Sequence, residues 1–413
     1  MSSDDTTPGG NLVGGGLLVA VALGIGQVLA YAQTLVAART LTPAEFGAFS
    51  ALLALILIGN TVALATQAVT ARHIVATPRS QWPDETAAAW RTAAQVALIL
   101  TAVWLVLAPA ITWALRLDSI LIAILLALGF LPLTLLGGAL GIAQGHERHI
   151  TLAGVYVALS VPRNGVTIAL LIVVATLGSA MFGLAVGGLL SAALAWLLLR
   201  SFSRGGHARH TTMLREVPAA TYSLLALFTL TNLDIVLGRA FLSPEEAGQY
   251  GVGIIVAKIV TWLPQFVAVM AYARMVDARR GRTTLVGLGV VGGIGLLCTA
   301  AVAAAPALIV AVVAGDQYAE LASILPVFAL IGACGALLQF VVFGLVAIRD
   351  RTYIPVVWAG CIALVAAVAV WHDSVADVAY IMLAVVATVA AIGVWRLIAK
   401  RDEPAVADVS VGG

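Results

Sequence analysis

Long runs of apolar residues alternate with short polar breaks along the whole chain. A helix that crosses a membrane needs about 20 apolar residues, and the breaks leave runs of roughly this size. They predict twelve transmembrane helices, at residues 12–38, 46–71, 91–115, 119–143, 151–175, 181–200, 218–238, 247–273, 284–314, 320–347, 354–371 and 376–397. Only the short break TLGSAM separates the fifth run from the sixth. The pattern therefore predicts an all-α integral membrane protein.

Composition supports this class. The 413 residues are 62% hydrophobic and only 10% charged, with a mean hydropathy of +1.05. Soluble domains carry about a quarter charged residues, so most of this surface is expected to face lipid. The net charge of +2 gives no indication of a nucleic-acid partner.

The basic residues predict the orientation, because cytoplasmic loops of membrane proteins are enriched in Lys and Arg. With the N-terminus inside, the outer connections hold three: Arg39, Arg116 and Arg239. The inner connections and tail hold seventeen: Arg72, Arg79, Arg91, Arg148, Arg200, Arg204, Arg209, Arg215, Arg274, Arg279, Arg280, Arg282, Arg349, Arg351, Arg396, Lys400 and Arg401. Both termini are therefore predicted to be cytoplasmic.

The most basic connection lies at the midpoint and predicts two halves. We expect an N-terminal six-helix lobe at 12–200, a basic cytoplasmic linker at 201–217, and a C-terminal six-helix lobe at 218–397. Cytoplasmic tails would occupy 1–11 and 398–413. The linker contains His207 and His210, which we interpret as residues of a solvated loop rather than metal ligands.

A polar break is repeated at an offset of 201 residues. LTPAEFGAF begins at Leu41 and LSPEEAGQY begins at Leu242. Each predicts a helix start, with Thr42 or Ser243 as the N-cap, a proline in the first turn, and a glutamate that completes a capping box. One break joins spans one and two and the other joins spans seven and eight. Two six-span halves of the same polarity predict a parallel repeat, which is common in transporters.

The two half-starts resemble those of bacterial oligosaccharide flippases. The segments are TLVAARTLTPAEFGAFSALLALILI, from Thr34, and TNLDIVLGRAFLSPEEAGQYGVGIIVAKIVTWLPQFV, from Thr231. In the second segment, the residues that fit the family pattern are Asp234, Gly238, Arg239, Pro244, Glu245, Glu246, Gly248 and Tyr250. This O-antigen-type family belongs to the multidrug/oligosaccharidyl-lipid/polysaccharide exporter superfamily.

The resemblance implies a V-shaped transporter whose two lobes alternate access to a central cleft. It implies flipping of a polyprenyl-(pyro)phosphate-linked oligosaccharide to the outer leaflet of a bacterial cell membrane. Twelve spans match the polysaccharide branch, whereas lipid II flippases usually have fourteen. The alternative is an ion-coupled exporter of drugs or small molecules. Such relatives usually carry an acidic residue in the first span, where this chain has Gln27, Tyr31 and Gln33.

Ionisable residues inside predicted spans are candidates for the substrate cleft. A charge at mid-membrane costs about 2.5–3.5 kcal/mol on insertion scales, so it normally faces a cavity or a partner. Arg163 and Lys258 lie near mid-depth, and Asp234 lies nearer the outer face. Both cations could bind phosphate; the structural alternative is that one of them pairs with Asp234.

Neutral polar residues within spans could bind sugar hydroxyls or could join helices. They are Gln27, Gln33, Asn60, Gln67, Asn164, Asn232, Gln265 and Gln339. In span four, Gly137, Gly141 and Gly145 form a close-packing face, for which we expect a partner helix in the same lobe.

Enzyme signatures are absent. The sequence contains no GxxxxGK[ST], HExxH or GxSxG motif, so we expect neither catalysis nor a cofactor. Three cysteines in apolar runs, Cys298, Cys334 and Cys361, predict no metal site. The alternatives left are a membrane-embedded glycosyltransferase and a scaffold for polysaccharide assembly. Expected partners are the lipid-linked sugar and membrane lipids, with a polysaccharide polymerase or glycosyltransferases as further candidates. The protein itself is expected to be a monomer.

Overall fold

The computed structural model describes residues 8–203, 212–264, 280–347, 350 and 352–400. Over these residues the protein is built from helices. The predicted first lobe contains α1 (Pro8–Thr40), α2 (Pro43–Ala76), α3 (Trp82–Ala114), α4 (Ile120–Gly145), α5 (His149–Val173) and α6 (Leu177–Leu199). The remainder contains α7 (Met213–Leu230), α8 (Leu233–Phe241), α9 (Pro244–Trp262), α10 (Arg280–Ala304), α11 (Pro306–Val313), α12 (Leu325–Ala347), α13 (Ile354–Val370) and α14 (Val375–Ala399).

The helices confirm the predicted all-α membrane class. As far as the described residues extend, each predicted span coincides with one helix or with two successive helices. Among the described residues, nine helices are long and apolar enough to cross a membrane, or ten if α7 and α8 form one bent span. The end of the eighth predicted span lies outside the described residues, as do His207, His210 and Gln265.

Two predicted spans are interrupted. Span seven bends by 48° between α7 and α8. There the side-chain amide of Asn232 donates to the carbonyl of Phe228, and the backbone N–H of Asn232 donates to the carbonyl of Thr229 instead. A side chain thus occupies the carbonyl that the continuing helix would use. Span nine is divided into α10, which ends at Ala304, and α11, which begins at Pro306. Pro306 has no N–H with which to extend α10. A side-chain hydrogen bond in span seven and a proline in span nine thus divide segments that hydropathy alone predicts to be continuous.

The narrow break between spans five and six is real. α5 ends at Val173 and α6 begins at Leu177. Thr176 caps α6 through a capping box with Ser179, which satisfies free N–H groups at the first turn. The predicted division of these two spans is therefore confirmed.

The described residues fall into two compact units. Unit 1 comprises residues 1–42 and 55–225, and unit 2 comprises residues 43–54 and 226–413. In unit 1, α5 packs against α1, α4 and α6, and α3 packs against α4. In unit 2, α12 packs against α9, α10 and α14, around the buried rings of Tyr250, Tyr318, Tyr353, Phe328 and Phe340.

The glycine face of α4 packs on α2 within unit 1. A Cβ atom at Gly137 would lie 2.4 Å from the carbonyl oxygen of Ala63, and one at Gly141 would lie 2.6 Å from that of Gln67. At Gly145 it would lie 2.8 Å from Cβ of Ile74. The predicted close-packing face is confirmed, and its partner is a helix of the same unit.

Both repeated helix starts lie where predicted, and the second has the predicted capping box. α2 begins at Pro43 and α9 at Pro244, and Ser243 and Glu246 form a reciprocal capping box. Within unit 2 the two starts pack together. A Cβ atom at Gly248 would lie 2.2 Å from the carbonyl oxygen of Pro43, so the repeated glycine permits this backbone approach.

Asp350 joins two helices at one end of unit 2. It accepts hydrogen bonds from Thr352 at 2.6 Å and from Nε of Arg396 at 3.0 Å, and Nζ of Lys400 lies 3.2 Å away. Burial alone would raise the pKa of Asp350, but these donors outweigh it and hold the pKa well below its usual range. The charged carboxylate therefore ties the start of α13 to the end of α14.

Candidate functional site

A cavity of about 330 Å³, lined by both polar and apolar side chains, lies within unit 1. Four helices line it: α1 near Gln27, α2 from Asn60 to Gln67, α4 from Leu133 to Leu140, and α5 from Tyr156 to Asn164. Arg163 carries the only charge among the described residues that line it. We refer to this space as the Arg163 cavity.

The structure brings together four of the predicted site residues. Gln27, Asn60, Arg163 and Asn164 line the same cavity, although they come from three helices. Gln67 joins them. Gln33 and Gln339 do not line the cavity. Four amide side chains and one guanidinium thus line a single space, together with mostly apolar residues.

Local packing explains the position of Arg163 on α5. Pro162 precedes it and has no N–H for the helix ladder. On the other side, a Cβ atom at Gly187 of α6 would lie 2.7 Å from Cα of Arg163. Oγ of Ser191 donates to the carbonyl of Leu159 at 3.1 Å. Close α5–α6 packing therefore fixes the backbone from which the arginine projects.

The guanidinium of Arg163 is partly buried and has no hydrogen bond or ion pair to a side chain in the described part of the chain. Its neighbours Asn164 and Thr167 instead bond to α5 itself, through the carbonyls of Ser160 and Arg163. A buried cation without a protein partner is costly, and it is available to an anionic ligand. The five donors of a guanidinium match phosphate oxygens in a bidentate geometry.

The sequence did not single out Tyr156 and Ser160, which also line the cavity. Both lie on the same face of α5 as Arg163, at steps of four and three residues. That spacing was the available signal. Once Arg163 is taken as facing a cavity, helical periodicity places both hydroxyl groups beside it.

The other predicted site residues lie in unit 2 and do not line the Arg163 cavity. Asp234 is fully buried and accepts a hydrogen bond at 2.8 Å from the hydroxyl of Tyr250. Its carboxylate also interacts electrostatically with Lys258, but the described residues show no ion pair between the two, so their pairing stays a prediction. Asn232 is buried at the break between α7 and α8. For these three residues, a substrate role stays a prediction.

No ion-binding cluster of three His, Cys, Asp or Glu side chains occurs among the described residues. The three cysteines are free. The ligand chemistry of the Arg163 cavity is therefore that of one cation, several amides and two hydroxyl groups.

Comparison with known proteins defines the fold. The sequence matches no protein-family model and no curated protein. The structure, however, is similar to the inward-facing conformation of a multidrug resistance MATE family transporter of the MOP superfamily. The TM-score is 0.70 at 11% identity, over 94% of this chain and 100% of that one. This chain has the MOP-superfamily fold.

Two further structures agree. For the lipid II flippase MurJ in its inward closed conformation, the TM-score is 0.72 at 10% identity, over 93% of this chain and 87% of that one. For a MOP superfamily transporter from Pyrococcus furiosus Vc1, the TM-score is 0.60 at 13% identity, over 94% and 96%. These identities show the fold alone, so the substrate has to be argued from the cavity.

Proposed function

We propose that this protein is a membrane transporter that flips a polyprenyl-(pyro)phosphate-linked oligosaccharide. Transport would run from the cytoplasmic to the outer leaflet of a bacterial cell membrane, for assembly of a cell-surface polysaccharide. The fold supports the transporter class, because similar solved structures are MOP-superfamily transporters of drugs and of lipid II. The choice of substrate rests on the Arg163 cavity.

The observation that carries the proposal is the guanidinium of Arg163, which has no side-chain partner among the described residues and shares its cavity with four amide side chains. A lipid-linked sugar presents a phosphate followed by hydroxyl groups, and it must carry both through the hydrocarbon layer. Arg163 would bind the phosphate oxygens and offset their loss of hydration. Gln27, Asn60, Gln67 and Asn164 would exchange hydrogen bonds with the sugar.

We propose that transport follows the alternating-access scheme expected from the resemblance, with both termini cytoplasmic. The cavity would bind the headgroup while the prenyl chain stays in lipid, so that only the polar part is desolvated. An anion is stabilised in a low-dielectric site by a nearby fixed cation. Arg163 would thus lower the barrier for the most costly part of the substrate.

Export of drugs is the second candidate, because the fold is shared with a multidrug resistance transporter. A cationic drug would meet the charge of Arg163, and no carboxylate is among the described residues that line the cavity. For the Pyrococcus furiosus transporter, a binding pocket of reverse polarity is described as suggesting a different function. Pocket polarity is likewise our reason to favour an anionic substrate here.

The test is flipping by the purified full-length chain in proteoliposomes, with a fluorescent undecaprenyl-pyrophosphate disaccharide as the probe. We expect Arg163→Ala to lower the flipping rate about 10- to 100-fold, since hydrogen bonds to charged groups contribute about 1.5–3 kcal/mol. Arg163→Lys should retain intermediate activity, because it keeps the charge but loses the bidentate geometry.

The matched control is Arg91→Ala, which removes an exposed arginine outside the cavity and should leave flipping unchanged. In cells, Arg163→Ala should abolish surface glycan while the protein stays at its normal level in the membrane. Wild-type flipping by a folded Arg163→Ala variant would refute the assignment. Efflux of cationic dyes, reduced by the same change, would favour the drug exporter instead.

A further inference from the structure

A second depression lies next to the Arg163 cavity in unit 1, and residues of α2 and α4 line both. It comprises a space of about 580 Å³ that includes Arg72 and Gln144, and a space of about 300 Å³ that includes Arg79 and Trp82. Glu147 lines both, so the two spaces form one surface. We refer to it as the basic groove; by the charge distribution, it is predicted to lie at the cytoplasmic end.

One side-chain hydrogen bond stands between the Arg163 cavity and the basic groove. Nε2 of Gln67 donates to Oε1 of Gln144 at 3.1 Å. Gln67 lines the cavity, whereas Gln144 lines the groove. The bond therefore joins α2 to α4 between residues that line the two spaces.

The two spaces lie on one continuous stripe of each helix. On α2, Asn60, Leu64 and Gln67 line the cavity, and Ala71 and Val75 line the groove. Their spacing of three or four residues is that of a single helical face. With a rise of about 1.5 Å per residue, Arg72 lies only about 7.5 Å along the axis from Gln67. A ligand moving along this face would meet no change of helix.

Charge makes the basic groove suited to an anion. Arg72 pairs with Glu216, and Nη2 of Arg79 lies 3.8 Å from Oε2 of Glu147. Both arginine side chains are well exposed, at 65% and 82%, and exposed ion pairs contribute little. An incoming phosphate could therefore replace Glu147 beside Arg79 at low cost, whereas Glu216 also bonds to His73 and Thr212. The residues that line the groove include two arginines and one glutamate, and Glu216 pairs with Arg72 from outside the lining.

We propose that the basic groove is the entry route by which a phosphate-bearing headgroup reaches the Arg163 cavity, with the Gln67–Gln144 hydrogen bond as its gate. Arg72 and Arg79 make the first contact with the phosphate. The glutamine pair then opens, its amides bond to the headgroup, and Arg163 receives the phosphate. The route rests on the proposed function for its substrate, but its existence can be tested without that substrate.

The test measures thiol labelling of a single cysteine, Asn60→Cys, in the full chain with Cys298, Cys334 and Cys361 changed to Ala. The probes are an anionic and a cationic methanethiosulfonate, applied to membrane vesicles of either orientation. We expect labelling from the side that carries Arg72. Gln67→Ala with Gln144→Ala should speed both probes several-fold, because the gate is removed.

Charge selectivity separates the route from general loosening of the protein. Arg72→Gln with Arg79→Gln should slow the anionic probe about tenfold, since a charged funnel raises association rates at least that much. The labelling rate of the cationic probe should be unchanged or higher, and it serves as the control in the same variant. Ser160→Cys, also in the cavity, provides a second reporter with the same expected pattern.

Labelling only from the opposite side would overturn the route. The route would also be wrong if the glutamine and arginine substitutions left the labelling rates of both cysteine reporters unchanged. Because no lipid-linked sugar is present, these results are independent of the flipping assay. A charge-selective route together with normal flipping by Arg163→Ala would refute the proposed function and leave the route intact.

Discussion

Single buried charges in this protein have different environments. Arg163 lines a cavity without a side-chain partner among the described residues, whereas one carboxylate oxygen of Asp234 accepts a hydrogen bond from Tyr250. The sequence placed both inside predicted spans and could identify both as exceptional. It could not separate them, because the direction of a side chain depends on helix rotation, and helix rotation is decided by packing.

The Asp234–Tyr250 hydrogen bond gives a prediction about stability. Tyr250→Phe should destabilise the protein by about 1–3 kcal/mol, because it leaves an oxygen of a fully buried carboxylate without its donor. Thermal unfolding in detergent measures the loss. Tyr380→Phe is the control. Because Tyr380 is exposed, this variant should unfold at the same temperature as the wild type.

A double variant tests whether the interaction itself is responsible. Tyr250→Phe with Asp234→Leu should recover part of the lost stability, because replacing both partners removes the unsatisfied group. If Tyr250→Phe unfolds at the same temperature as Tyr380→Phe, the hydrogen bond has no structural role. A substrate role would then be the stronger explanation for the buried charge of Asp234.

At the scale of helices, the sequence predicted positions better than interruptions. The glycine spacing in α4 identified a packing face, and α2 supplies the partner. The bend between α7 and α8 was not predicted, although Thr231, Asn232 and Asp234 make this stretch polar, because polar residues within a span do not by themselves show whether the helix bends. At the bend, the side-chain amide of Asn232 takes the carbonyl of Phe228 that its own backbone N–H would use in a continuing helix.

The α2–α4 contact predicts a contrast between two glycines of one helix. Gly141→Ala should destabilise the protein by about 1–3 kcal/mol, since the new Cβ would lie 2.6 Å from a backbone oxygen that cannot move freely. Gly129→Ala should be neutral or stabilising by up to about 1 kcal/mol, because nothing lies within 4 Å of its Cβ and alanine is the better helix former.

Thermal unfolding of both variants in the same detergent gives the comparison directly. Because Gly141 packs on Gln67, its variant should also disturb the gate and speed labelling of Asn60→Cys by both probes. Equal stability of the two alanine variants would show that α2 and α4 do not pack as closely as the structure has them.

At the scale of the whole chain, the repeated break has a structural meaning that the sequence could not supply. The repeat predicted two capped helix starts, and α2 and α9 begin at its prolines. Within unit 2, Gly47 and Gly248 of these starts lie against the opposing backbone, near Ala247 and Pro43 respectively. The glycine of the motif therefore serves tertiary packing, whereas its Ser, Pro and Glu serve the local helix start.

The number of crossings decides the orientation of everything downstream, and the interrupted helices make it testable. α11 has eight residues, about 12 Å of helix, too short for a hydrocarbon layer of about 30 Å. If α10 with α11, and α7 with α8, each make one crossing, both halves have the same polarity.

Asp118→Cys and Asp373→Cys should then react with an impermeant thiol reagent on intact cells. Gly206→Cys should react only after permeabilisation, because the arginines around it favour the cytoplasm. Opposite behaviour of Asp118→Cys and Asp373→Cys would mean an odd number of crossings between them, and the parallel repeat would be wrong.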